Sequence, residues 1–265
     1  ITQSVISAIT CVVIYFIALR IIHYKAAFIL GILSSFYPLF ILTTIKIVPE
    51  TLFTFWLSLT ILYLFILKDS PSFKNITITG LLMGITLLNN NVVVPFFPFI
   101  GVWLIINKKE VLPKILLKII MVFLISILVV SPWLIRNYFV FNQFPLMKST
   151  SGLNLWLGNN PLSSGTFMSK NGEDLNDIIS KEFPEIFKLP EIEQDTILYK
   201  KAIDSIKVNP IRYLKLVIKR FYYYWWFPPD EFITENTGFY KKLMAFPYLI
   251  LLITCIIGVI NVMRS

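Results

Sequence analysis

The chain has 265 residues, of which 56% are apolar and only 15% are charged, and its mean hydropathy is +0.74. Soluble domains carry roughly 25% charged residues, so this composition excludes an ordinary soluble domain and indicates a protein surrounded by lipid. The net charge of +9 does not indicate a nucleic-acid partner, because the Lys and Arg residues lie mostly at the ends of apolar runs. Membrane proteins use cations at these positions to fix their orientation.

The apolar runs approach the ~20 residues that a helix needs to cross a bilayer. Seven runs predict transmembrane helices: 5–19, 26–45, 52–67, 76–88, 92–106, 119–135 and 244–263. Three asparagines at 89–91 separate two short runs and predict a tight helical hairpin there. Prolines inside membrane helices are tolerated where neighbouring helices satisfy the freed carbonyls, and we expect kinks at Pro38, Pro95 and Pro98.

The charges of the short connections predict the orientation, because Lys and Arg accumulate on the cytoplasmic side. One set of connections holds eight cations: Arg20, Lys25, Lys68, Lys74, Lys108, Lys109, Lys114 and Lys118. The opposite set holds Lys46 alone. We therefore expect a multi-pass protein of the plasma (inner) membrane, with the turns at 46–50 and 89–91 and the segment after Arg136 on the extracytoplasmic side.

The segment 136–242 differs in composition, since it holds twelve of the chain's fifteen acidic residues. It predicts a solvated, mostly helical extracytoplasmic module. Apolar residues recur at helical spacing over 192–206, and Pro190 and Asn209-Pro210 mark where this surface helix starts and stops. The predicted organisation is thus a bundle of about six spans over 1–135, the module over 136–242 and a final transmembrane helix over 243–265.

The stretch 211–226 predicts an amphipathic helix. Seven apolar or aromatic residues share one face: Ile211, Leu214, Val217, Ile218, Phe221, Tyr222 and Trp225. Lys219 and Arg220 would be costly at the centre of a bilayer span, so we interpret the segment as a helix lying in the outer membrane interface, with its aromatic end at headgroup depth. A basic helix packed on the module is the alternative.

Several chemistries lack their residues. His23 is the only histidine and falls on the cytoplasmic side, so a His-assisted nucleophile or a His-rich zinc site is not expected on the outer face. The sequence also contains no GxxxxGK[ST] or GxGxxG motif, and we predict neither a metal nor a cofactor. An outward-facing enzyme of this kind would take its activated group from a lipid-linked donor in the same membrane.

Four strings carry a resemblance to a known family: Tyr37-Pro38, Pro49-Glu50-Thr51-Leu52-Phe53, Pro132-Trp133-Leu134-Ile135-Arg136-Asn137-Tyr138, and Gly152-Leu153-Asn154-Leu155-Trp156-Leu157-Gly158-Asn159-Asn160-Pro161. They resemble the bacterial polyprenyl-phosphate-sugar glycosyltransferases related to protein O-mannosyltransferases and the aminoarabinose transferase. The resemblance implies an all-α fold of the GT-C type. It also implies sugar transfer from a polyprenyl-phosphate donor to a glycan, lipid or protein acceptor on the outer side.

The resemblance also implies that the chain is truncated at its N-terminus. In these enzymes the catalytic Asp lies in a first outer loop, before the second helix, and that loop has no counterpart here. We therefore assign no catalytic residue and expect the chain alone to be inactive. Relatives often have Thr-Arg-Pro where this chain has Asn89-Asn90-Asn91.

Eight residues are candidates for substrate contact: Glu50, Asn89, Arg136, Asn137, Asn154, Trp156, Asn159 and Asn160. Arg136 suits bidentate phosphate binding, although a cation at a helix end can also simply reach the interface. Glu50 is favoured at a helix start by the helix dipole whatever its function. The module asparagines are typical turn residues, yet amides beside Trp156 can also bind sugar hydroxyls.

Two other function classes stay open. A transporter or lipid flippase would carry ionisable residues within its spans, and such residues are nearly absent here. A noncatalytic scaffold for cell-envelope assembly is the third interpretation.

Overall fold

The computed structural model describes residues 1–46, 48–107, 111–141, 150–226 and 237–264. In these residues the protein is an all-α membrane protein, with only two isolated β-bridges and no strand. Twelve α-helices occur in the described part: α1 Thr2–Ala18, α2 Tyr24–Ser35, α3 Pro38–Ile45, α4 Glu50–Asp69, α5 Phe73–Asn89, α6 Phe96–Ile106, α7 Leu112–Phe141, α8 Ser151–Asn159, α9 Leu175–Glu182, α10 Glu191–Val208, α11 Pro210–Trp225 and α12 Thr237–Arg264. Two 3₁₀ turns, Asn91–Val93 and Ile186–Lys188, complete it.

The chain divides into two compact units, Ile1–Asn142 and Gln143–Ser265, which we call the bundle unit and the module unit. Among the described helices, Glu50–Asp69 and Leu112–Phe141 are each long and apolar enough to cross a membrane. The pair α2 and α3 adds a third crossing if the two helices are counted as one span bent by 41°. The number of spans beyond these stays a prediction.

Pro38 and the asparagines at 89–91 interrupt the predicted spans as expected, whereas Pro98 lies inside α6 without a break. The bend between α2 and α3 precedes Pro38, the first residue of α3, so the kink predicted there is confirmed. The break within 76–106 is also confirmed, because α5 ends at Asn89 and the side chain of Asn90 accepts a hydrogen bond from the Val92 amide. An asparagine that bonds to the backbone two residues ahead favours a turn over continued helix.

Helices α5 and α7 pack closely and run parallel. A Cβ on Gly80 would lie 2.7 Å from the Ile125 Cβ, and a Cβ on Gly84 would lie 2.6 Å from the Val129 Cβ. The partner residues advance with the glycines, four positions in each helix, which shows that the two helices point the same way. Small residues at such an interface let two backbones approach, and this packing favours association of helices in lipid.

Helix α4 runs antiparallel to α5. The Thr60 and Thr86 hydroxyls lie 2.9 Å apart, and the Thr79 hydroxyl donates to the Tyr63 carbonyl at 3.4 Å. Helix α1 runs parallel to α4, since Gln3 donates to the Val48 carbonyl at one end and Arg20 pairs with Asp69 at the other, at 3.3 Å. The cation-rich connections of α1 and α4 thus share one end of the bundle unit.

The module unit has a small core of the soluble type around α8, α9 and α10. Its buried members are Trp156, Leu157, Leu175, Ile179, Leu198 and Ala202. The surface helix predicted over 192–206 is confirmed as α10, which begins after Pro190 and ends at Asn209. In the same unit, the rings of Trp226 and Tyr248 lie 6.4 Å apart, so the chain leaving α11 contacts α12.

The predicted helix over 211–226 is confirmed as α11, and its two faces have different neighbours. Leu216 is buried, and Arg212 and Arg220 donate hydrogen bonds to carbonyls at the end of α8. The apolar face is exposed, with Ile218 at 69% and Phe221 at 67%. The basic face therefore packs on the module, as in the alternative interpretation, while the apolar face stays uncovered within the described residues.

Candidate functional site

The candidate residues of the bundle unit lie at one end of it, opposite the cation-rich connections. Glu50 is the first residue of α4, and Asn89 is the last residue of α5. From the Thr60–Thr86 and Gly84–Val129 contacts, a rise of about 1.5 Å per residue places Glu50 and Asn137 within about one helical turn of each other in height. We call Glu50, Asn89, Arg136 and Asn137 the Arg136 cluster.

Arg136 lies on the flank of a helix and not at its end. Sequence reasoning ended this span at residue 135, but α7 continues to Phe141 with Pro132 inside it. The boundary differs because residues 138–141 remain aromatic and apolar, so the helix continues past its two polar residues. Arg136 is thus held by regular backbone on both sides.

Two neighbours orient the Arg136 guanidinium. Its central carbon lies 5.1 Å from the centre of the Trp133 ring, and one terminal nitrogen donates to the Asn137 Oδ1 at 3.0 Å. Asn137 is only 4% exposed, whereas Arg136 is exposed. A guanidinium has five N–H donors, and among the described residues this one has a single hydrogen-bond partner, so most of its donors face outward.

The other two cluster residues differ in exposure. Glu50 is exposed at the N-terminus of α4, where the helix dipole favours a carboxylate. The Asn89 Oδ1 is buried and accepts no hydrogen bond in the described structure. A buried acceptor without a donor costs free energy, so this oxygen needs a partner that the described residues do not supply.

The module candidates lie on α8, and most of them hold the module together. Asn154 is exposed on the helix surface. The amide of Asn159 donates to Leu155 and accepts from Arg220, and the amide of Asn160 donates to Trp156 and Leu157. The turn interpretation is wrong for Asn154 and Asn159, which are helical; Asn160 is the C-cap.

Trp156 is 9% exposed and belongs to the module core, where its ring meets the edge of Phe183 at 6.5 Å. Its Nε1 is buried and has no hydrogen-bond partner. A sugar can therefore reach only the small exposed part of this ring.

Charged side chains from distant helices hold both ends of α8, and sequence reasoning missed them. The Asp195 Oδ1 accepts from the Gly152 and Leu153 amides, at 2.6 and 3.1 Å. At the other end, Arg212 donates to the Asn159 and Asn160 carbonyls, and Arg220 donates to the Gly158 carbonyl. A carboxylate at the N-terminus and cations at the C-terminus both complement the helix dipole.

Burial of these arginines affects their protonation. Burial lowers the pKa of Arg212 below its ordinary value. The pKa of Arg220 is also lowered, mainly by burial. Tyr213 acts in the opposite direction and raises this pKa, and the positive charge of Arg212 lowers it. The two guanidiniums thus share one helix end, and in the described residues no carboxylate forms an ion pair with either.

The N-terminal half of the chain matches a known family. Residues 1–135 match the model of the dolichyl-phosphate-mannose-protein mannosyltransferases, just over half of the chain. The chain belongs to this family. No curated protein and no solved structure was found to match it.

Membership in the mannosyltransferase family supports glycosyltransferase activity in a membrane setting, in agreement with the apolar helices. The match includes Glu50 and Asn89 and ends one residue before Arg136. The module lies outside it. Among the described residues, no group of three or more His, Cys, Asp or Glu side chains is placed to hold a metal ion.

Proposed function

We propose that the chain carries the membrane core of a glycosyltransferase that takes a sugar from a polyprenyl-phosphate donor. The acceptor, a glycan, lipid or protein, is glycosylated on the extracytoplasmic face. Family membership supports the reaction class and the lipid-phosphate donor. The sugar need not be the mannose of the family description.

The observation that carries the proposal is the orientation of Arg136. Its stacking on Trp133 and its bond to buried Asn137 hold the guanidinium in one plane at the end of the bundle unit that also contains Glu50. A planar guanidinium pairs with two phosphate oxygens at once. Transfer of the sugar leaves negative charge on the lipid phosphate, and a preorganised cation there stabilises the transition state.

The other members of the cluster take supporting roles in this proposal. Asn137 positions Arg136, and the unpaired Asn89 Oδ1 accepts a hydrogen bond from a hydroxyl of the sugar or acceptor. Glu50, exposed at the same end of the bundle unit, accepts hydrogen bonds from further sugar hydroxyls. In the module, Asn154 is the candidate whose side chain is exposed for sugar contact, since Asn159 and Asn160 are engaged in the fold.

We further propose that α11 lies in the outer membrane interface. Its exposed face holds Ile218 and Phe221, and the chain just beyond its aromatic end contacts Tyr248 of the apolar helix α12. Aromatic residues favour the headgroup level, and amphipathic helices bury their apolar face there. The module unit would then rest on the leaflet from which a lipid-linked donor is drawn.

Arg136→Lys in the full-length protein tests the phosphate contact. A lysine retains the charge but not the bidentate pairing or the stacked plane. Loss of one charge-assisted hydrogen bond is worth about 1.5–3 kcal/mol, so kcat/KM for the donor should fall on the order of tenfold to a hundredfold.

Arg20→Lys is the matched control, since Arg20 forms a half-exposed ion pair with Asp69 at the other end of the bundle unit. Exposed pairs contribute little, and this variant should keep normal kinetics. Wild-type kcat/KM in correctly inserted Arg136→Lys would reduce Arg136 to an anchor at the interface.

Cysteine labelling tests the sidedness. Ser180 in the module unit and Ser70 at the cation-rich end are both exposed. In a background lacking Cys11 and the exposed Cys255, an impermeant thiol reagent applied to intact cells should modify Ser180→Cys but not Ser70→Cys. The reverse pattern would place the Arg136 cluster in the cytoplasm and remove its access to an outward-facing donor.

A further inference from the structure

The module unit contains a cavity of about 500 Å³ with an excess of positive charge. Three cations line it: Lys170 from the loop before α9, Lys201 from α10 and Arg212 from α11. Asp204 is the one carboxylate in the lining. We call this the cationic cavity, and none of its lining residues belongs to the Arg136 cluster.

The fold does not neutralise this charge. In the described structure none of the three cations forms an ion pair, although Lys188 and Glu185 show that exposed pairs do form elsewhere in the module, at 2.8 Å. Arg212 is fixed by the Asn159 and Asn160 carbonyls, which bring a partial negative charge but no full counterion. Three cations against one carboxylate leave the lining with a net positive charge, which attracts an anion.

Neighbouring groups fix two of the three cations, Lys201 and Arg212, in place. The Lys201 ammonium lies 4.2 Å from the centre of the Phe183 ring, a cation–π distance that restricts the side chain. Arg212 is partly buried, and its pKa is lowered by that burial; an anion in the cavity would offset the cost. Two of the three positive charges are therefore positioned before any ligand arrives.

The rest of the lining suits a sugar. Trp156 and Pro161 supply apolar surface, and Asp204, Ser205 and Asn209 supply hydrogen-bonding groups. Small-molecule sites in proteins combine an apolar lining with a few polar groups and have volumes of about 300–1,000 Å³. A phosphorylated monosaccharide is of the size and polarity that this volume holds.

We propose that the cationic cavity is a binding site for a phosphorylated sugar, with the phosphate held by Lys170, Lys201 and Arg212. The cavity lies on the face of α11 that bears Arg212, opposite the exposed apolar face that bears Ile218. The ligand is either a soluble sugar phosphate or the phosphorylated headgroup of a lipid. The proposal does not depend on sugar transfer by the chain.

Titration calorimetry of the chain in phosphatidylcholine nanodiscs tests the site, with glucose 6-phosphate as the probe and glucose as its uncharged counterpart. Glucose 6-phosphate should bind saturably, and glucose should bind at least about tenfold more weakly, because a charge-assisted contact of ~1.4 kcal/mol corresponds to tenfold. Lys201→Gln and Lys170→Gln, on different segments, should each weaken glucose 6-phosphate binding by about the same factor.

Lys200→Gln is the matched control, because Lys200 is exposed on the same helix, one residue from Lys201, and is not part of the cavity lining. It should leave the affinity unchanged. Equal weakening in Lys200→Gln, equal affinity for glucose, or the absence of saturable binding would each overturn the proposal.

Lipid composition distinguishes the two sources of the phosphate. Nanodiscs containing phosphatidic acid offer a lipid phosphate monoester, and discs with phosphatidylglycerol offer the same sign of charge without one. Loss of glucose 6-phosphate binding in the first discs alone would identify a lipid headgroup, and unchanged binding in both would identify a soluble ligand. Either result supports the cavity as a phosphate site.

Discussion

Both units bury apolar side chains, among them Met83 in the bundle unit and Leu175 in the module unit, but the bundle unit also buries hydroxyl residues where its helices pack. In the bundle unit, large apolar side chains such as Leu128, at 68%, are exposed, while Ser126 and Thr79 are buried at 1% and 0%. In the core of the module unit, Leu175 and Ala202 are buried at 0%. Lipid is as apolar as a leucine side chain, so burial in the bundle depends on close fit, whereas in water it depends on hydrophobicity.

Polar groups are satisfied differently as well. In the bundle unit, hydroxyls mostly donate within their own helix, as Thr10 does to Ile6 and Ser58 does to Thr54. In the module unit, polar bonds join distant helices, as from Gly152 to Asp195. The module should therefore be more sensitive to the loss of single polar contacts, and the bundle more sensitive to added volume.

The largest effect is expected for Gly152→Ala. A Cβ on Gly152 would overlap the Asp195 carbonyl oxygen and approach the Tyr199 amide nitrogen. Since backbone atoms cannot rotate away, α8 would have to separate from α10, at a cost of about 3 kcal/mol or more. Thermal unfolding of the detergent-solubilised protein should show a strongly lowered Tm.

Gly101→Ala is the control for this prediction, because a Cβ there would meet only the Ile119 side chain, at the ordinary distance of 3.9 Å. It should be neutral or slightly stabilising, since alanine is the better helix former. If both variants lower the Tm alike, the close contact between α8 and α10 does not limit stability.

A smaller loss is expected when the carboxylate at the start of α8 is removed. Asp195→Ala leaves the Gly152 and Leu153 amides without their acceptor, which should cost about 1.5–3 kcal/mol. Asp195→Asn keeps an oxygen acceptor and loses only the charge, so it should cost less than half of this. Denaturant unfolding of the two variants checks the order, and equal losses would mean that charge alone matters.

The smallest effect on stability is expected for spin labels, which report the depth of a residue in the membrane. A nitroxide at Ile218, 69% exposed on α11, should be accessible to oxygen, and one at exposed Lys200 on α10 should be accessible to a water-soluble nickel complex. Neither label should change the Tm appreciably. A label at Ile218 that favours the nickel complex would show that the apolar face of α11 is not in lipid.

Local signals in the sequence predicted the helices well. Pro190 and Asn209-Pro210 bound α10, and the asparagines at 89–91 separate α5 from α6, because these residues act on their own backbone. Counting spans and charges predicted that Glu50, Asn89 and Arg136 lie at one end of the bundle, whereas their contact with substrate came from the family resemblance and stays a prediction. These inferences need no knowledge of distant contacts.

The structure of α8 could not be predicted in the same way. Its Asn-rich string looks like a turn, and the residue that caps its first amides, Asp195, lies more than forty positions later in the chain. The extent of α7 was also missed, because the residues after Arg136 and Asn137 are again aromatic and apolar and the helix continues through them. The distant residue that caps a helix and the point at which a long apolar helix ends both depend on the tertiary structure.

The parallel arrangement of α5 and α7 has a consequence for the surrounding bilayer. In the topology predicted from the sequence, α5 and α7 cross the membrane in the same direction and α6 returns between them. Helix α6 has eleven residues and reaches only about 16 Å along its axis. The hydrocarbon layer is about 30 Å thick. Such a hydrophobic mismatch thins the membrane locally, and we expect headgroups and water to lie deeper beside α6 than around the long helices.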